Sequence, residues 1–271
     1  MASALTTPKP ATKNVAAPAQ VLSALLDVLD QLQQTGPVRR IVFPPFPQAL
    51  AELQSEMRSA DPDLHNVARI AAGDLGMSMV LMKAANSPWY GGRPVASIDQ
   101  ALGRLGLNQT AALMTGFLAQ QAIRVDSPLL ARFWERASKI AVASAFVARK
   151  LPGMVVDVAY TYGLFRHAGV AVMAQSCDGY AETLAAAVLD PTQDLAQLEN
   201  ARHQTDHAIV GALVARLWHL PAHVVAAIRL HHDTAVLAGA RLDTEVCNLL
   251  AIGLVAEHFV RMDEGLSPDS D

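Results

Sequence analysis

The sequence predicts an all-α protein, on three observations. Apolar residues make up 52% of the 271-residue chain, and many are alanine, the best intrinsic helix former. Apolar positions recur at spacings of three and four through most of the chain. No stretch alternates with period two over the length of a strand, and the strand–helix rhythm of an α/β fold is absent.

Taken in order, residues 1–20 are rich in Ala, Pro and Thr and are expected to form a flexible tail. Leu22, Leu25, Leu26, Leu29 and Leu32 then mark an amphipathic helix over 21–37, ended by Gly36-Pro37 and packed either on the main body or on a second copy in a homodimer. Phe43-Pro44-Pro45-Phe46-Pro47 is barred from helix by its prolines and reads as an extended strap with two aromatic anchors. A helix follows to about Met57, and Asp63 is placed to cap the next. Gly73-Asp74 separates that helix from one over about 75–86, where Met79, Val80, Met82 and Ala84 are the expected buried positions. Ser87-Pro88 ends it, and Trp89-Tyr90-Gly91-Gly92 reads as a loop. Ser97 with Gln100 has capping-box spacing, and Asn108 is a candidate cap for the long helix that follows. Asp126-Ser127-Pro128 divides an N-terminal helical lobe over 38–128 from a second lobe over 129–262. The second lobe is expected to hold helices at about 129–151, 154–175, 178–188, 203–219, 222–232 and 242–262, before a tail over 263–271.

Composition excludes several functions. The net charge is −4 and the densest basic feature is Arg39-Arg40, so the clustered cations of a nucleic-acid footprint are missing. No uncharged apolar run reaches the ~18 residues of a membrane span, and the N-terminus has no apolar signal core, so a cytoplasmic protein is expected. Cys177 and Cys247 lie far apart without CxxC spacing and are expected as free thiols. Phosphate-binding loops, dinucleotide fingerprints and nucleophile elbows are absent from the sequence.

Several stretches together resemble the HDOD family over about residues 40–235. They are FPPFP at Phe43–Pro47, Asp74, Ala85-Asn86-Ser87-Pro88-Trp89-Tyr90-Gly91, and Ser97-Ile98 with Ala101, Leu105, Gly106 and Leu107. Phe133-Trp134, Asp206-His207 with Gly211, Trp218, Leu220-Pro221, and Ala227-Ile228 with His231-His232 continue the pattern. The Asn-Ser-x-x-Tyr-Gly segment is the most specific of these.

HDOD domains are similar to HD-type phosphohydrolases, in which a His, a His-Asp pair and later His and Asp residues hold metal. By that resemblance Arg136 stands where the first His would be. Arg166 and His167, in Gly163-Leu164-Phe165-Arg166-His167-Ala168-Gly169, replace the His-Asp pair. His207, His231-His232 and Glu257 occupy or lie near the later positions. Arginine has no lone pair for a metal, and a fixed charge at ~4 Å repels a cation by about 4 kcal/mol at an effective dielectric of ~20. The expectation is therefore a vestigial site without metal or cofactor, in a non-catalytic regulatory module that acts through protein–protein contacts. Asn86, Ser87, Trp89 and Tyr90 are its candidate interaction surface. Two rivals remain open: a metal-dependent hydrolase with altered ligands, and a sensor binding an anion or nucleotide among Arg136, Arg166, His167, His207 and His231.

Overall fold

A computed structural model of the chain describes residues 17–34, 36–125, 127–190, 193–233 and 242–265. Among these there are fourteen α-helices and no strand. Asp126 of the expected lobe boundary, residues 1–16 of the expected tail and 266–271 lie outside the described residues.

Helix α1 (Pro18–Gln34) begins inside the stretch read as tail. It packs on the body of its own chain: Leu29 is fully buried, and Asp30 forms a two-point ion pair with Arg216 at 2.5 Å. The Phe-Pro strap is extended, as expected. Its Pro44 carbonyl accepts from the indole of the fully buried Trp218, and Phe46 meets His219 edge-on.

Helices α2 (Gln48–Met57), α3 (Leu64–Ala72), α4 (Leu75–Ala85), α5 (Ile98–Leu105) and α6 (Leu107–Ala122) follow. Asp63, Asp74 and Ser97 each accept from a backbone N–H of the helix they open. Asn108 is not a cap, because Gly106 already occupies that position and α6 starts at Leu107. In α4 the buried positions are Met77, Leu81 and Ala85, whereas Met79 and Val80 are exposed. That helix is apolar on nearly every face, so its pattern does not select the inner one.

The second half contains α7 (Phe133–Ala148), α8 (Val156–Phe165), α9 (Ala168–Ser176), α10 (Tyr180–Leu189), α11 (Leu195–His203), α12 (His207–Leu217), α13 (Ala222–Leu230) and α14 (Thr244–Asp263). Two expectations are corrected. The single helix over 154–175 is broken at Arg166-His167 into α8 and α9. The helix expected over 203–219 starts only at His207, as α12, and is preceded by a separate, unexpected helix, α11, that ends before a turn at Gln204.

Close packing explains the first break. A Cβ on Gly169 would lie 2.0 Å from the His207 carbonyl oxygen and 2.7 Å from the Gly211 nitrogen, so α9 and α12 cross with their backbones nearly touching. An uninterrupted α8–α9 helix would carry Gly169 along the α8 axis and away from this crossing. One core cluster runs from Leu29 to Ile252 and joins the two halves.

Candidate functional site

The α9–α12 crossing builds the site. It sets His167, the residue before α9, beside His207 at the first turn of α12. His231 and His232, just past α13, complete the group. One ring nitrogen from each of the four lies within 4.8 Å of the others. His207 and His231 are buried; His167 is part exposed and His232 exposed, so the cluster reaches solvent on one side.

Hydrogen bonds fix which nitrogen carries the proton. His207 Nδ1 is 2.7 Å from Glu199 Oε2, and His231 Nδ1 is 2.6 Å from the Ile228 carbonyl oxygen. His167 Nε2 is 3.3 Å from Glu257 Oε2. A carboxylate or a carbonyl can only accept, so each of these nitrogens donates and the other ring nitrogen holds a lone pair. The Nε2 atoms of His207 and His231, both lone-pair nitrogens in the neutral rings, are 3.3 Å apart. His232 Nε2 is 2.9 Å from His207 Nε2.

Burial keeps His167, His231 and His232 neutral. It holds His167 down at about 4, with Arg166 and His207 lowering it further against the pull of Glu257. Burial, then the other histidines and Arg166, hold His231 well below its ordinary value; burial and His207 bring His232 to about 2. Although burial pushes Glu257 up, His167, Arg166 and Arg136 hold it below the usual carboxylate range.

The two arginines sit differently. Arg136 bonds Glu257 at 2.5 Å and also Glu264, so its charge is matched twice. The repulsion expected from Arg136 is thereby offset, which the sequence did not reveal. Arg166 is buried, and its Nε and Nη1 have no hydrogen-bond partner among the described residues. Its Nη1 lies 2.6 Å from where a Cβ on Gly253 would stand, so the guanidinium fills a notch in α14.

Glu199 is the residue that sequence reasoning missed. It is fully buried on α11 and accepts three hydrogen bonds, from Tyr180 OH, from the His207 backbone N–H at 2.8 Å and from His207 Nδ1. A signal existed: Asp194 is a cap residue, and Leu195, Leu198 and Arg202 follow at helical spacing.

The expected interaction residues lie elsewhere, at the end of α4. Asn86 is committed to its own loop: its amide oxygen accepts from Val95 N at 2.7 Å and its amide nitrogen donates to the Val95 carbonyl at 3.2 Å. Trp89 is 38% exposed, meets Phe146 edge-on at 5.6 Å and carries Arg149 over its ring. Together with Val142 and Phe259 it borders an apolar groove of about 700 Å³. On its other side Ser87 and Tyr90 line a cavity of about 520 Å³ with Phe117 and Tyr160. Among the described residues, no helix is long and apolar enough to cross a membrane.

The chain is 24% identical over 201 residues to an uncharacterized protein of Treponema pallidum (strain Nichols). That match covers 70% of this chain but only 38% of the Treponema protein. An HDOD domain protein of unknown function from Geobacter sulfurreducens has the same fold, with a TM-score of 0.68 at 18% identity over 91% of this chain and 81% of the other. So does a Shewanella amazonensis SB2B protein, named a phosphohydrolase on similarity alone, with a TM-score of 0.68 at 24% identity over 92% and 84%. The family model for the HDOD domain matches residues 43–234, from the Phe-Pro strap to just past His232, and the chain belongs to the HDOD family.

Proposed function

We propose that this chain is a non-catalytic regulatory module that works through contacts with other proteins. The observation that carries this reading is the donor set: the four side chains that converge are all imidazoles, and no carboxylate is among them. Glu257, which the resemblance sets near the last aspartate position, spends its oxygens on His167 and Arg136. Phosphodiester cleavage by the related enzymes relies on metal-bound water, which needs an open ligand position, and four converging imidazoles are enough to fill a tetrahedral ion.

The groove beside Trp89 supports the contact half. Trp89, Val142, Phe146 and Phe259 expose 38%, 54%, 45% and 51% of their surface in one neighbourhood. Exposed aromatic residues bordering a concave apolar surface are the usual anchors of a protein partner. An anion in the histidine cluster would face Glu199 and Glu257, which disfavours the anion-sensor alternative despite the nearby positive charge of Arg166.

Two experiments test the reading. A phosphodiesterase assay with manganese is expected to give no turnover, and turnover abolished by His207→Ala would overturn the non-catalytic half. Affinity recovery of partners from the native cell is expected to fail with Trp89→Ala and Phe146→Ala. Equal recovery with both variants would remove the groove from the account.

A further inference from the structure

We infer that His167, His207, His231 and His232 together bind one imidazole-preferring transition-metal ion, of which zinc is the representative, in a closed site that ties α9, α12 and α13 together.

Three of the four rings have one nitrogen engaged by an oxygen acceptor: Glu199 for His207, the Ile228 carbonyl for His231 and Glu257 for His167. Such outer partners fix the tautomer and raise the basicity of the remaining nitrogen, as metal-binding histidines require. The His207 and His231 lone pairs then face each other at 3.3 Å, where neither can donate to the other. His232 is able to donate one proton to His207, which leaves His231 Nε2 without a donor inside the cluster. A cation satisfies all of these lone pairs together.

The spacing also fits. Two nitrogens each about 2.0–2.1 Å from a tetrahedral zinc lie about 3.3 Å apart. The His207–His231 separation is 3.3 Å, and the spread of the whole set, 4.8 Å, closes with small ring rotations of the two partly solvated residues, His167 and His232.

Charge around the ion is mixed. Arg136 is offset by Glu257 and Glu264, and Glu199 and Glu257 contact the histidines directly, so these carboxylates counter the field that the buried Arg166 projects onto the rings. A hard cation such as magnesium prefers oxygen ligands and would find none among the converging groups. Four protein ligands fill the tetrahedron and leave no open position for water, the arrangement of structural rather than catalytic zinc. The site is therefore compatible with the non-catalytic reading but independent of it.

The test uses the full chain, stripped with a chelator and titrated with zinc against a chromophoric competitor. One zinc per chain is expected, with no competition from excess magnesium. His167→Ala and His232→Ala are each expected to weaken binding at least tenfold. Glu199→Gln should weaken it about 10–100-fold, the range for outer-shell partners. His65→Ala, on the exposed surface of α3, should leave binding unchanged. Cobalt(II) in place of zinc should give the intense visible band of a tetrahedral site. Because the buried His207 is at risk of misfolding when replaced, the decision rests on the two partly solvated histidines, with folding checked by circular dichroism. A folded chain that takes up no stoichiometric zinc, or binds it equally in His167→Ala and His232→Ala, would overturn the inference. So would a weak octahedral cobalt spectrum. Absence of zinc would leave the protein-contact reading standing, and turnover in the phosphodiesterase assay would leave the zinc site standing.

Discussion

The Asn86–Gly91 loop and the histidine cluster carry opposite lessons. The loop holds the most specific motif in the sequence, yet its asparagine spends both amide atoms on the Val95 backbone. The cluster looks degraded in sequence, because arginines and a histidine stand where ligands were expected. In space it gathers four imidazoles, three of which have an outer nitrogen held by Glu199, Ile228 or Glu257. A specific motif thus marks a backbone need as readily as a functional one. A broken motif can conceal a different, intact donor set.

The largest effect that would break this comparison is expected at the helix crossing. Gly169→Ala places a methyl group 2.0 Å from the His207 carbonyl, a backbone atom unable to rotate away. It should destabilise the chain by about 3 kcal/mol or more, at the upper end of overpacking costs. Chemical denaturation measures this, and a loss below about 1 kcal/mol would show that the crossing yields.

The loop should respond next. Asn86→Ala leaves the N–H and carbonyl of the buried Val95 without their partners, at a cost of about 1–3 kcal/mol. If Asn86 served a partner instead of its loop, the same variant would keep wild-type stability and lose only binding.

pH sharpens the contrast, because the loop motif has nothing that titrates near neutrality. In the metal-free chain burial holds His167 at about 4, so the folded state refuses a proton that the unfolded chain accepts below about 6.5. Stability is full above that pH and declines as pH falls toward about 4, by on the order of 1–3 kcal/mol. Denaturation of the stripped chain at about pH 7.5 and about pH 5 checks the sign. A curve that is flat or rises on acidification would mean that the ring is solvated.

The smallest effect belongs to the N-terminal helix. Asp30→Asn removes the ion pair with Arg216, both partners of which are substantially exposed, and should cost less than about 1 kcal/mol. Leu29, fully buried in the same helix, carries the docking of α1 on its own chain. A Leu29→Ala variant that shifted the protein from dimer to monomer would reassign that helix to an interface between copies.

Much of the fold was legible in the sequence, because caps and prolines act locally. Asp63 and Ser97 cap the helices expected of them, and the Phe-Pro strap is extended. The break at Arg166-His167 was not legible: its cause is the contact of Gly169 with His207, nearly forty positions away. Face selection failed on α4 for a related reason, since a helix apolar all round takes its orientation from its neighbours. At the site, the residue types were readable but their pairing was not. Nothing local to Arg136 announces Glu264, and nothing local to His207 announces the buried Glu199 on the separate helix α11.

The most direct test of the account is to measure zinc content and phosphodiester hydrolysis on one sample of the full chain. The account predicts one zinc per chain, lost in His232→Ala, and no turnover with or without added manganese. A folded chain without stoichiometric zinc, or one whose turnover disappears together with that histidine, would contradict it.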